Sequence, residues 1–221
     1  MLNYLVTGSN RGIGLEFCKQ LKGKGINVIA TCRKTSVELN KLGVNVIEGV
    51  DITSEKAISN LKNLLYGKNI DCLVNNAGIA DYNSLNEFDL SSIKRQFEVN
   101  ALSPLSFTRE LLGFLNKGSR IAFITSRMGS IEDNTSGGSY GYRMSKVALS
   151  MAAKSLSIDL LKKEIYVAIL HPGLVSTRMT GFTANGISTL DSVSGLLEII
   201  NSLDKNNTGT FWHSNGQILP W

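Results

Sequence analysis

Short β-rich apolar runs alternate along the chain with longer stretches in which apolar residues recur every three or four positions. The runs predict strands at Tyr4 to Thr7, Asn27 to Thr31, Asn45 to Gly49, Asp71 to Asn75, Arg120 to Ser126, Tyr166 to His171 and Thr210 to His213. The longer stretches predict helices over Gly12 to Lys22, Ser54 to Tyr66, Asp89 to Leu115, Tyr142 to Lys163 and Leu190 to Leu203. Several strands are almost continuously apolar, as in Ile121-Ala122-Phe123-Ile124 and Val167-Ala168-Ile169-Leu170, the pattern of strands covered on both faces in a parallel sheet. The alternation implies an α/β fold: a doubly wound parallel sheet of about seven strands in three α/β/α layers. No linker, repeat or low-complexity segment interrupts it, so one domain, Met1 to Trp221, is expected.

Composition narrows the classes. The longest apolar run, Ile165 to Leu170, falls far short of the roughly 18 residues of a membrane-spanning helix. The first residues lack a basic segment before an apolar stretch, so no signal peptide and a cytoplasmic location are expected. Cys18, Cys32 and Cys72 are odd in number and widely spaced among apolar neighbours, which points to buried free thiols and not to disulfides or a metal site. The net charge of +5 is spread along the chain without a basic run, so neither nucleic acid nor a membrane surface is expected as a partner.

In open α/β sheets ligands bind outside the carboxyl ends of the strands, and there the sequence is most unusual. Strand one runs into Thr7-Gly8-Ser9-Asn10-Arg11-Gly12-Ile13-Gly14, a strand-to-helix turn with glycines at its first, fifth and seventh places. Glycine allows tight backbone geometry, and the following helix N-terminus offers unpaired amides and partial positive charge to an anion, so this reads as a pyrophosphate cradle. A dinucleotide fold usually places an acidic residue about 20 residues further on to hold the adenosine ribose. Here strand two ends Thr31-Cys32-Arg33-Lys34 instead. Arg33, with Arg11 nearby, suits a 2′-phosphate, so NADP(H) is expected as the preferred cofactor, with NAD(H) the rival. Asp51, past strand three, could accept from the adenine amino group, and Ile52 beside it is expected among the cofactor-binding residues.

The second constellation is Tyr142-Arg143-Met144-Ser145-Lys146, at the start of a helical pattern. A spacing of four stacks phenol and ammonium on one face. A free phenol, with pKa near 10, is ionised in about one molecule per thousand at pH 7, and a nearby cation would favour the phenolate. A shift of about three units takes roughly 4 kcal/mol, which Lys146 and an oxidised nicotinamide could largely supply.

Together with the glycine turn, this pair resembles the short-chain dehydrogenase/reductase family. The resemblance covers essentially the whole chain: Thr7-Gly8-x-x-x-Gly12-x-Gly14, then Asn75-Asn76-Ala77-Gly78, then Asn100, Ser126, Tyr142 with Lys146, and Pro172-Gly173-x-Val175-x-Thr177. The segment Ser126 to Ile131, the long loop before Tyr142 and the closing Leu219-Pro220-Trp221 look most like the C-factor/Sniffer-like carbonyl reductase branch. The resemblance implies an NAD(P)-binding Rossmann-type domain and an oxidoreductase that moves hydride between nicotinamide and a small-molecule carbonyl or alcohol. It also implies a homodimer or homotetramer paired through the long helices.

Residue by residue, it implies Tyr142 as general acid and base at the substrate oxygen, and Ser126 as hydrogen-bond donor to that oxygen, with Ser130 the alternative hydroxyl. Lys146 would hold the nicotinamide ribose and lower the phenol's pKa. Asn76, Ala77 and Gly78 would line the cofactor, and Pro172, Gly173, Val175 and Thr177 the nicotinamide. Asn100 has a local argument beside the family one: Pro104 has no N–H to bond its carbonyl, leaving that oxygen free for a water serving the lysine.

Other chemistries fail on residues. Position 124 is Ile where a serine hydrolase elbow needs Gly, and the two histidines, His171 and His213, form no zinc motif. The segment Arg178 to Thr189 is expected to be a small mobile flap. A cofactor-binding signalling or redox-sensing protein with little turnover stands as the alternative, less suited to the intact Asn100, Ser126, Tyr142 and Lys146 set.

Overall fold

The computed structural model describes residues Met1–Trp221. Seven strands form one all-parallel sheet: β1 (Asn3–Thr7), β2 (Asn27–Thr31), β3 (Asn45–Ile47), β4 (Ile70–Asn75), β5 (Leu115–Ile124), β6 (Tyr166–His171) and β7 (Phe211–His213), in the spatial order β3-β2-β1-β4-β5-β6-β7. The chain winds outward one way from β1 to β3, then returns to place β4 on the other side of β1. That reversal opens a crevice at the carboxyl ends of β1 and β4, the place a doubly wound sheet offers to a ligand.

Side chains of successive strand residues point to opposite faces. Leu5, Leu73, Phe123 and Ile169 therefore join one buried cluster, while Tyr4, Val6, Val74, Ala122 and Leu170 join another. The first cluster is closed by α3 (Glu55–Leu64), α5 (Ser103–Leu111) and α6 (Tyr140–Asp159); the second by α1 (Gly12–Gly23) and α7 (Thr189–Asn201). Cys18, Cys32 and Cys72 are free thiols buried in the second cluster. No helix is long and apolar enough to cross a membrane.

The observed helices begin within two residues of the predicted starts. Ser54 caps α3 by accepting from the Ala57 N–H at 3.3 Å, so this helix starts one residue later than its pattern. Strand β3 stops at Ile47 because Gly49 turns the chain with φ +79°. A five-residue helix α2 (Val37–Lys41), capped by Ser36, is too short to show a period in sequence.

The largest difference concerns the helix expected from Asp89 to Leu115. It is broken into α4 (Leu90–Phe97), a π turn at Glu98–Leu102, and α5, ending in a single 3₁₀ turn at Leu112–Phe114. The Ser103 N–H reaches back to the Glu98 carbonyl, and Pro104, which follows, has no N–H to restore the regular ladder. Strand β5 correspondingly begins earlier, at Leu115, and ends at Ile124, short of Ser126.

Candidate active site

The turn after β1 is shaped by two close approaches. Gly8 sits at φ +66°, and a Cβ there would lie 3.0 Å from the Ala77 Cα. At Gly14 a Cβ would fall 2.3 Å from the Gly8 carbonyl oxygen and 2.5 Å from Asn76 Nδ2. The missing side chains let the first turn of α1 fold onto the loop following β4. Asn76 locks the two together: its Nδ2 donates to the carbonyls of Thr7 and Gly8 at 2.9 and 3.2 Å. The Asn76 and Ala77 N–H groups both donate to Thr7 Oγ1 at 3.0 Å.

Ser9 departs from the expectation of a ligand contact. Its hydroxyl donates inward to the Val6 carbonyl at 2.7 Å and its N–H donates to Thr31, so it presents no free donor. Asn10 donates to the Lys34 carbonyl at 3.0 Å, tying the turn to the end of β2. Arg11 and Arg33 are exposed, and no carboxylate pairs with either. Half-buried Asp51 accepts from the Thr53 N–H and hydroxyl through Oδ1, at 2.9 and 2.8 Å, leaving Oδ2 open, while Ile52 beside it is buried. Burial works to raise the Asp51 carboxyl, but the Thr53 hydrogen bonds and then Arg33 outweigh it and hold the group below the usual carboxylate range.

Past β5, β6 and the start of α6 lies a cavity of about 340 Å³ whose lining includes Ser126, Tyr142, Pro172, Gly173, Val175, Thr177 and Ile13. Ser126 caps a 3₁₀ turn at Arg127–Gly129, with its Oγ accepting from the Met128 N–H at 3.1 Å. Its own O–H proton is thereby free for the cavity. Ser130 is buried, accepts from the Asp133 N–H at 3.1 Å and does not line the cavity, so Ser126 is the hydroxyl beside Tyr142.

Lys146 is buried, and its Nζ lies 5.6 Å from the centre of the Tyr142 ring and donates to the Ile124 carbonyl at 2.9 Å. Burial pulls this ammonium down to about 8. The phenol moves opposite to the expectation drawn from sequence: burial, and then Tyr82, push its pKa up, against a smaller lowering by the Ser126 hydroxyl. Desolvation of the ring exceeds what an ammonium turned toward a carbonyl returns.

Asn100 stands in the π turn. Its side chain accepts from the Ile79 N–H at 2.8 Å and donates to the Ile79 carbonyl at 2.9 Å and to Ser145 Oγ at 3.0 Å. Ser145 in turn donates to the Tyr142 carbonyl at 2.8 Å, so the Asn100 amide joins the loop after β4 to the helix turn carrying Tyr142. Gly78 makes room there, since a Cβ on it would lie 3.2 Å from Asn100 Oδ1 and 3.6 Å from Lys146 Nζ.

The segment expected as a mobile flap is pinned at both ends. Ile187 donates to the Leu174 carbonyl at 2.8 Å and accepts from the Ser176 N–H at 3.0 Å, while Thr180 Oγ1 donates to the Val175 carbonyl at 2.6 Å. Gly173 needs φ +85°, and a Cβ on it would meet Ile187 at 2.8 Å. Thr177 lies against Gly12, bringing this wall over the first turn.

Several cavity residues were given no role by sequence patterns. Tyr82 meets the Tyr142 ring edge-on at 5.6 Å from a loop without periodicity. Arg127, Asp133, Arg143 and Met179 also line the cavity. The available signal for the arginines was adjacency, one following Ser126 and the other Tyr142.

A family model described as short chain dehydrogenase matches residues 3–186. The chain is 36% identical over 226 residues to 1-hydroxy-2-glutathionyl-2-methyl-3-butene dehydrogenase of Rhodococcus sp. (strain AD45), covering all of both proteins. It is 43% identical over 155 residues to C-signal of Myxococcus xanthus, covering 69% of this chain and 93% of that protein. Among solved structures, NADPH-bound carbonyl reductase from chicken fatty liver superposes with TM-score 0.89 at 29% identity, covering 99% of this chain and 98% of that one.

Proposed function

The chain belongs to the short-chain dehydrogenase/reductase family and is an oxidoreductase, and from that premise we propose that it is an NADP(H)-dependent carbonyl reductase, working in reverse as an alcohol dehydrogenase. One observation carries the reading: the Ser126 and Tyr142 hydroxyls share one small cavity, with the Lys146 ammonium buried one helical turn away. The residues fit a nicotinamide dinucleotide. Gly8, Gly12 and Gly14 leave a turn without side chains at the N-terminus of α1, suited to a pyrophosphate. The carboxylate of Asp51 and the side chain of Ile52 would meet the adenine, and Asn76, Ala77 and Gly78 would form the floor below it. Pro172, Gly173, Val175 and Thr177, with Ile13, would wall the nicotinamide.

Bound there, the nicotinamide supplies or takes up the hydride. The chain's residues handle the oxygen and its proton. Tyr142 gives its phenol proton to the carbonyl oxygen as it becomes an alkoxide, and takes it back in the oxidative direction. Ser126 donates a hydrogen bond to the same oxygen, its lone pairs being oriented by the Met128 N–H. Lys146 keeps two N–H donors beyond the one on Ile124, for the ribose hydroxyls. The free Asn100 carbonyl would hold a water that returns protons from solvent. A homodimer or homotetramer belongs to this reading; Met144, Met151 and Ile158 lie exposed at seven-residue intervals along α6.

The test is loss of reduced-nicotinamide absorbance with NADPH and with NADH over a panel of ketones, aldehydes and quinones. The likeness to C-signal favours a second reading, cofactor-dependent signalling without turnover. Absence of turnover on every carbonyl, with cofactor still raising the melting temperature, would select it.

Two variants test parts of the reading. Arg33→Asp removes a charged partner of the 2′-phosphate, a hydrogen bond of about 1.5–3 kcal/mol, so kcat/KM with NADPH should fall about 10- to 100-fold while the value with NADH does not. An equal fall with both cofactors would remove Arg33 from the phosphate. Pro104→Ala restores an N–H opposite the Asn100 carbonyl and should draw the π turn toward regular helix. Turnover is then expected to drop by up to about 10²-fold with unchanged cofactor affinity; unaltered kinetics across pH would leave Pro104 a packing residue only.

A further inference from the structure

Two arginines stand at the cavity, and neither belongs to the groups that handle the proton. Arg127 follows Ser126 and Arg143 follows Tyr142, and both line the space beside the two hydroxyls. One acidic residue, Asp133, shares that lining with them. It pairs with Arg127, whose Nη2 donates to Oδ1 at 2.9 Å and whose Nε donates to Oδ2. The pairing holds the Asp133 carboxyl below its usual range, chiefly through the Arg127 hydrogen bond, so it remains ionised and occupied.

Arg143 has neutral acceptors alone. Its Nε donates to the Gly137 and Gly138 carbonyls, each at 3.2 Å, its Nη1 to the Met128 carbonyl at 3.2 Å and its Nη2 to Ser136 Oγ at 2.8 Å. No carboxylate lies within ion-pair distance of it. A guanidinium carries five N–H groups, so one on each terminal nitrogen remains without a partner. The bonds to the loop fix the plane of the fork while those two donors stay free, a preorganised arrangement for a carboxylate.

The other lining groups do not supply the missing charge. His171 is kept neutral, with burial lowering it to about 3. The wall opposite contributes Leu174, Val175 and Met179, all apolar. Two guanidinium charges and one carboxylate leave the mouth with a formal excess of +1, on a half-buried residue where salt screens incompletely.

We propose that Arg143 selects the substrate, and that the substrate class is carbonyl or alcohol compounds carrying a carboxylate a short distance from the reacting carbon. The cavity of about 340 Å³ also takes in the walls assigned to the nicotinamide, and the space left beside Arg143 suits a small carboxylic acid. This rests on the reductase reading, because a preference among substrates presupposes turnover.

The experiment compares 4-carboxybenzaldehyde with its neutral methyl ester at saturating NADPH, using the full chain. The ester keeps the ring and lacks the charge, and because it withdraws electrons more strongly than a carboxylate its aldehyde is the intrinsically more reactive, so electronics alone would favour the ester. The acid is expected to show kcat/KM at least about tenfold above the ester, mainly through KM. The ratio should fall toward one as salt is raised from about 0.02 to about 0.5 M, where the Debye length shortens several-fold. Arg143→Met should also collapse it, and Arg143→Lys should retain part of it, since lysine keeps the charge without the fork. Arg143 also ties down residues 128–138, but damage to that loop would slow both substrates together and leave the ratio standing. A ratio near one in the wild-type protein, or one untouched by Arg143→Met, overturns the proposal while leaving the reductase reading in place. Failure to reduce the acid, the ester or any other carbonyl with either nicotinamide removes both.

Discussion

Tyr142→Phe is expected to lower carbonyl reduction by about 10²–10⁴-fold while leaving cofactor affinity near the wild-type value. The two effects separate because the substitution removes one hydroxyl from a buried ring and leaves its packing intact. The ring still meets Tyr82 edge-on, and Lys146 still reaches the Ile124 carbonyl without help from the phenol. What is lost is the proton delivered as the carbonyl oxygen gains charge, together with one of the two hydroxyls facing that oxygen. Turnover measured beside cofactor titration by nicotinamide fluorescence checks both halves. Retention of more than about a tenth of wild-type turnover would move the general acid away from Tyr142.

The pH profile of the wild-type protein adds a sign to the same argument. Burial raises the phenol, so it stays protonated and able to donate through the neutral range. Burial lowers the lysine to about 8, so its charge is present below that value and is lost as pH rises through it. Reduction should therefore be level on the acid side and fall above about 8. The ordinary lysine range would place that fall more than two pH units higher.

How far the site could be read in advance depended on whether its geometry is local. Tyr142 and Lys146 lie one helical turn apart, and the glycines of the first turn lie within seven residues, so spacing alone places each set. The parallel sheet was equally legible, because strands covered on both faces must be apolar throughout. The phenol's pKa was not: it depends on burial in the folded cavity and on Tyr82, which arrives from far along the chain. Ser9 misled for a related reason. It stands inside the turn read as a pyrophosphate cradle, and only the folded turn shows its hydroxyl facing the Val6 carbonyl. Pro104 marked a break in the helical ladder near Asn100 but not the π turn that makes it. Arg143 was invisible as a binding group because its orientation is set by the 128–138 loop wrapping back across it.

Gly14→Ala tests the deepest constraint in the fold, the contact between the first turn and the loop after β4. The added methyl would be placed 2.3 Å from the Gly8 carbonyl oxygen and 2.5 Å from Asn76 Nδ2, one a backbone atom and the other a side chain held by two hydrogen bonds. Neither can yield without opening the turn, so overpacking of about 1–3 kcal/mol is expected. For a chain of this length that lowers the melting temperature by about 2–4 °C per kcal/mol. The turn is also the proposed pyrophosphate cradle, and NADPH affinity should weaken by about tenfold or more. Two other glycines give the scale. At Gly12 a Cβ would meet only Thr177, at 3.7 Å, so Gly12→Ala carries the left-handed backbone strain of φ +54° without the clash. Gly23, at the end of α1, has nothing within 4 Å, and Gly23→Ala should be neutral or slightly stabilising. Calorimetry and NADPH titration on the three variants should rank the losses Gly14, then Gly12, then Gly23. If Gly14→Ala instead kept wild-type stability and affinity, the close packing of α1 against the loop after β4 would not be what shapes the cofactor turn.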